Sequence, residues 1–205
     1  MRIRIVDLLT TFALVLSGVA SAGSAPSAAS LDAAFAQLKQ LQYGDDWASL
    51  APINQAVSAA RSDEKCRGEL ERRLIDLLES EAPTAAKDVA CRTLLLVGST
   101  DAIPALVSLL PDRDLSHLAR CALEQIPGRA VDDALRASLG KLQGRLKIGV
   151  IASIGYRRDT LAVEPLTALL KAKDRTMAQA TATALGQIAT PGAAEALVRS
   201  LAEAP

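Results

Sequence analysis

One histidine, three cysteines and a few adjacent carboxylates are the residues from which a catalytic or metal site would have to be built. His117, in Asp114-Leu115-Ser116-His117, is the one imidazole and therefore the one candidate base for a nucleophile triad. Its place at an expected helix start gives a simpler reading. Ser116 or Asp114 serves there as an N-cap, and the histidine packs at the surface or against a neighbouring helix. One imidazole cannot make a multi-histidine zinc site, and no Cys-x-x-Cys pair substitutes for it. The His-Glu pairs of a di-iron site and the Cys-x-x-Cys-His of a haem attachment are missing too. Gly140, Gly144 and Gly149 are spread apart and lack the Gly-Lys-Ser/Thr ending of a phosphate loop. Asp45-Asp46, Asp63-Glu64 and Asp132-Asp133 fall at expected helix starts, where the helix dipole favours negative charge. No catalytic, cofactor-binding or metal-binding residue is assigned, and no small-molecule substrate is indicated. Cys66, Cys91 and Cys121 allow at most one internal disulfide. Cys91 and Cys121 fall on neighbouring helices one position out of register, so the expectation is buried free thiols acting as small hydrophobes.

Charge distribution is the lead that remains. Lys+Arg and Asp+Glu both number 23 over the whole chain, which gives no reason to expect general affinity for nucleic acid or membrane surfaces. Locally the balance shifts. Residues 31–81 carry ten acidic and six basic side chains, whereas residues 140–175 carry eight basic and three acidic ones. Arg145, Lys147, Arg157 and Arg158 in the second segment are the candidate partner-binding residues, for an anionic partner. Arg157 and Arg158 lie beside an expected loop insertion, where function concentrates. The competing reading is a solvated face that keeps the chain soluble. Nucleic acid is excluded as a partner, because it would need stacking aromatics or a larger basic excess.

The elements that position these residues are set by a repeat. A block headed by Leu74 (Leu-Ile-Asp-Leu-Leu) returns at Leu106, Leu135, Leu166 and Leu197, at intervals of 32, 29, 31 and 31 residues. Val97-Gly98, Ile126-Pro127, Ile154-Gly155 and Ile188-Ala189 precede the last four blocks. The distance to the leading leucine is nine residues except at Ile154, where Tyr156-Arg157-Arg158-Asp159 lengthens the loop. Each unit reads as two helices. Ala90, Leu94 and Val97, or Ala119, Leu123 and Ile126, share one face of the first. Pro104 and Pro165 stand in the first turn of the second, where a missing N–H is harmless, and Asp101 is placed as an N-cap. Core positions are mainly Ala and Leu, which permits close helix packing. The fold class is therefore all-α, a right-handed α-α superhelix of helical pairs in which each unit seals its neighbours.

Residues 1–22 read as a signal peptide. Arg2 and Arg4 form its basic start, Leu8 to Val19 its apolar stretch, and Ala20-Ser21-Ala22 its cleavage site. The apolar stretch falls short of the ~20 residues of a membrane span, so no stable span is expected after cleavage; a retained anchor is the alternative. Loss of Arg2, Arg4 and Asp7 would leave 21 basic and 22 acidic residues, a charge of −1. Residues 23–30 read as a disordered lead-in and 31–45 as an N-terminal capping helix, with Phe35, Tyr43 and Trp47 covering the end of the stack. The repeats occupy 46–205 and are expected to continue beyond Pro205, since no polar capping helix follows Leu201.

Asp101-Ala102-Ile103-Pro104-Ala105-Leu106 with Leu109-Leu110, and Ala184-Leu185-Gly186-Gln187-Ile188 with Ala193-Ala194-Glu195-Ala196-Leu197, resemble HEAT repeats of the short kind seen in phycobilin lyases. The resemblance is strong from about Thr84 to Leu201 and looser from Trp47 to Ser80. Pro127 and Ala189 depart from it, standing where glycine is usual. The arrangement also resembles exported bacterial HEAT-repeat proteins. That resemblance implies a curved stack whose second helices line the concave side and hold a protein partner, and it transfers no catalytic residue. The functional expectation is a non-catalytic interaction scaffold, periplasmic or secreted. The alternative is an accessory module of a longer secreted enzyme or electron-transfer protein. A phycobilin-lyase-like activity is remote, because past Trp47 the repeats hold one aromatic, Tyr156, and the leader points away from a cytoplasmic or photosynthetic setting.

Overall fold

Leucine and alanine recurring at spacings of three and four dictate helices, and helices are what the chain forms. The computed structural model describes residues 25–202, and no strand occurs among them. The expected signal peptide lies outside the described residues. α1 (Ala28–Leu38) and a 3-10 turn at Trp47–Leu50 come first. Five helical pairs follow among the described residues. They are α2 (Ala51–Ala59) with α3 (Glu64–Glu79), α4 (Thr84–Val97) with α5 (Ile103–Ser108), and α6 (Ser116–Gln125) with α7 (Arg129–Leu139). α8 (Gly144–Tyr156) then pairs with α9 (Val163–Leu169), and α10 (Arg175–Ile188) with α11 (Pro191–Ala202).

The pairs stack in two rows. α2, α4, α6, α8 and α10 lie side by side in the first. In the second, α3 packs on α5, α5 on α7, and α9 on α11. From α3 onward each second helix also rests on the first helix of the next pair. This is an α-α solenoid. Leu74, Leu106, Leu135 and Leu166 are fully buried along one seam, and Leu197 is partly buried against the same core. That core runs unbroken from Leu31 to Ala196, so each pair depends on its neighbours for its apolar cover.

The rows differ in continuity. α8 packs more extensively on α10 than any other two helices pack, whereas α7 and α9 scarcely touch. Gly155 permits the first contact: a Cβ there would stand 2.7 Å from Ala184 Cα, so any larger residue would push the two backbones apart.

Several helix ends differ from expectation. Ser27 accepts from the Ser30 amide and starts α1 at Ala28, so residues 28–30, assigned to the lead-in, are helical. Phe35 is buried with Leu31, Leu38 and Leu41, but Tyr43 and Trp47 are 63% and 41% exposed. The apolar face of α1, with Phe35 but without Tyr43 and Trp47, closes this end of the core. Asp101 is not the cap of α5. Ser99 accepts from the Asp101 amide, and the chain enters α5 through a 3-10 turn at Thr100–Ala102. α6 is capped by neither Ser116 nor Asp114; the Asp112 carboxylate accepts from the amides of Asp114 and Leu115 instead. At Pro127 the positive φ moves one residue on, to Gly128 at +98°. Ala189 itself takes a left-handed φ of +54°.

Candidate partner-binding site

The four basic residues singled out in the sequence sit at the two ends of α8. Arg145 and Lys147 fall in its first turns, Arg157 and Arg158 just past its C-terminus. Twelve residues at ~1.5 Å each put Arg145 and Arg157 about 18 Å apart along the axis, so the four do not form one patch. Arg145 and Arg158 are exposed and Lys147 is half-buried, and none of the three has an ion pair within the described residues.

Arg157 is committed within the fold. Its Nη1 donates to the carbonyls of Ile126 at 2.8 Å, Glu124 at 3.1 Å and Leu123 at 3.4 Å. Nη2 donates to the Gly128 carbonyl at 2.9 Å, and Nε to Asp132 Oδ1 at 2.5 Å. The last carbonyls of a helix lack intrahelical donors, and a cation is favoured beside them. Arg157 thus caps α6 from the following unit and ties that unit to the start of α7.

Arg158 follows in the left-handed region, at φ +55°. Its amide donates to the Gly155 carbonyl, and the next amide, that of Asp159, donates to the Ile154 carbonyl. This is the Schellman pattern of helix termination, in which glycine is the usual residue at the left-handed position. Asp159 is buried, accepts from the Leu161 amide at 3.1 Å and pairs with Arg136. Arg136 also pairs with Asp133. The loop that looked like an insertion is therefore a polar joint that clamps the α8–α9 corner onto α7. It borders a cleft of about 300 Å³ lined by Arg129, Asp132 and Arg136 on one side and by residues 157–161 on the other. The α7 wall was missed in the sequence, because nothing in local spacing links residues 129–136 to 157–159.

The groups that would carry chemistry are occupied elsewhere. His117 Nδ1 accepts from Arg120 Nη2 at 3.3 Å, and Cys121 Sγ lies 3.9 Å from Nε2. Burial, reinforced by the Arg120 charge, holds the His117 pKa below its ordinary value. Burial likewise raises that of Cys121, with Glu124 adding to the effect. An imidazole that resists protonation beside a thiol that resists ionisation is the reverse of an activated Cys–His pair. Arg120 donates to the Gly149 carbonyl at 3.0 Å and to Ser153 Oγ at 3.2 Å, and Ser153 donates to Glu124 at 2.6 Å. A Cβ on Gly149 would lie 2.7 Å from Arg120 Nε, so this glycine makes room for the guanidinium between α6 and α8. Cys91 is buried, and burial pushes its thiol up to about 12. The Cys66 thiol donates to Asp63 at 3.2 Å, and that carboxylate holds its pKa up. All three cysteines are free, and only Cys91 is fully buried. Asp46 and Asp63 cap helix starts, which accounts for two of the acidic pairs. Among the described residues no group of three His, Cys, Asp or Glu side chains could hold a metal ion, and no helix is long and apolar enough to cross a membrane.

With the stack and its polar joint defined, comparison with known proteins is informative at the level of the repeat. Residues 133–205 match the family model for HEAT repeats. The match runs from within α7 to the end of the chain and supports reading this protein as a HEAT-repeat protein. No curated protein matches the chain. A crystal structure of an engineered protein is similar over 82% of this chain and 85% of that chain, at 20% identity and a TM-score of 0.44, too loose a likeness to fix details. HEAT repeats typically mediate protein–protein contact, and the α8–α9 corner with Asp133 and Arg136 of α7 falls inside the matched segment, which begins just after Arg129 and Asp132.

Proposed function

We propose that this chain is a non-catalytic scaffold of the cell envelope or secreted fraction that binds another protein along the row of second helices. The observation that carries the reading is the stack itself. Helical pairs that seal one another build a long surface from short elements, and such surfaces suit an extended partner. The states of two thiols agree with it, since burial keeps Cys91 and Cys121 protonated and therefore poor nucleophiles. The basic-start leader supports the envelope setting.

The test has two parts. A fusion of residues 1–30 to a reporter active only outside the cytoplasm should give signal, and Leu14→Arg should abolish it. Crosslinking capture from the envelope fraction with the full chain should then yield a defined partner, lost when exposed positions on α5 and α7 are changed. A cytoplasmic reporter, or capture unaffected by those changes, overturns the reading. The alternative, an accessory module of a longer secreted enzyme or electron-transfer protein, is separated by the reading frame after position 205.

A further inference from the structure

Charge in the cleft beside α7 is only partly balanced. Arg157 is matched by Asp132, and Arg136 by Asp133 and Asp159, which leaves Arg129 and Arg158 on opposite walls with no acidic partner within the described residues. Arg158 is the more telling of the two. It holds an exposed side chain on left-handed backbone, where glycine would sit without strain, and its own side chain makes no contact that explains it. Leu161, 54% exposed, adds an apolar surface to the same wall, and Thr160 adds a hydroxyl. The opening is about 300 Å³, at the small end of ligand clefts, which suits a short segment better than a folded surface.

We propose that this cleft docks an acidic peptide segment of the partner protein, with a carboxylate side chain between Arg129 and Arg158 and a neighbouring apolar side chain against Leu161. The inference rests on the scaffold reading and names a site for it. Arginine forks match carboxylates two bonds at a time, and two unpaired guanidinium groups facing one cleft disfavour a basic or neutral segment. The exposed leucine sets a peptide apart from a bare anion.

The experiment is an anisotropy titration of a dye-labelled short peptide of glutamates flanking one leucine, using the full chain, with a glutamine-for-glutamate peptide as control. The glutamate peptide binds saturably and more weakly as salt rises, and the control does not bind. Arg129→Gln and Arg158→Gly each weaken binding by about tenfold or more. Arg158→Gly melts no lower than the parent, so its loss of binding is not a loss of fold. No saturable binding, or binding unchanged in either variant, overturns the proposal. So does displacement of the peptide by inorganic phosphate as readily as by unlabelled peptide, which would leave only an anion site. If the peptide fails while a partner is still captured through α5 and α7, the cleft is wrong and the scaffold stands. If the peptide binds as described, the cleft is supported whether or not capture succeeds.

Discussion

Arg157 Nε stands 2.5 Å from Asp132 Oδ1, while the rest of its guanidinium fills the carbonyl end of α6. One side chain from the end of α8 thereby joins α6 and α7 of the preceding pair. Removing it takes the donor from a mostly buried carboxylate and from the Glu124 and Ile126 carbonyls, while Leu123 keeps the Ile126 amide. Arg157→Ala is expected to destabilise the fold by about 2–4 kcal/mol. Arg157→Lys recovers only part of that, because a point charge cannot reach four carbonyls and a carboxylate together. Urea unfolding of the two variants checks the order.

Left-handed backbone at Arg158 and Ala189 gives the opposite sign. Both residues carry a Cβ at φ near +55°, a conformation that disfavours L side chains by ~1–2 kcal/mol. Glycine relieves that strain but loses more chain entropy on folding, so Ala189→Gly and Arg158→Gly should each stabilise by roughly 0.5–1 kcal/mol. A thermal melt showing either variant less stable than the parent contradicts this account of the two helix ends.

Along the seam, depth decides the size of the effect. Leu106 is fully buried and its truncation to Ala should cost about 2–5 kcal/mol. Val198, 66% exposed on α11, should change stability by less than ~0.5 kcal/mol when truncated. Gly155→Ala adds only one methyl yet drives it into Ala184, and a loss of about 1–3 kcal/mol is expected. Chemical denaturation of the three variants in parallel should rank them accordingly.

The buried thiol predicts a pH dependence. Cys91 ionises near 12 in the folded chain, against ~8.5 for an unfolded cysteine. Between those values the native state keeps a proton that the unfolded state has lost, so stability falls as pH rises through this window. Cys91→Ala should flatten the decline between about pH 8.5 and about pH 12, the window between the unfolded and folded values. A slope identical to that of the parent would show the thiol to be less sheltered than its position implies. A thiol reagent at neutral pH should modify Cys91 only on unfolding.

What was readable in the sequence was whatever repeats. The leucine blocks recur because each unit solves the same packing problem, and their burial follows from their spacing alone. Helix starts were less legible. Several residues near α5 and α6 can cap, and the choice of Ser99 over Asp101, and of Asp112 over Ser116, depends on turn geometry that residue type does not encode. The candidate site was half visible. Arg157 and Arg158 stood out as an unusual pair in a lengthened loop, but only the fold shows that one is a structural cap and the other is free. Arg129 and Arg136 lie some twenty to thirty residues away in the sequence, and their meeting with that loop is a product of stacking. Tyr43 and Trp47 misled for a related reason: aromatic size suggests a cover, yet Leu31, Phe35 and Leu38 already fill the space.

The gap between α7 and α9 has a mechanical consequence. Where one row is joined and the other interrupted, bending load falls on the joined side, here the α6–α8 contact, where Arg120 occupies the space left by Gly149. On the interrupted side the load passes through ion pairs, Arg136 with Asp159 and Arg157 with Asp132, instead of apolar contact. The alignment of these two helical pairs therefore rests partly on charge, at the arginine-lined opening.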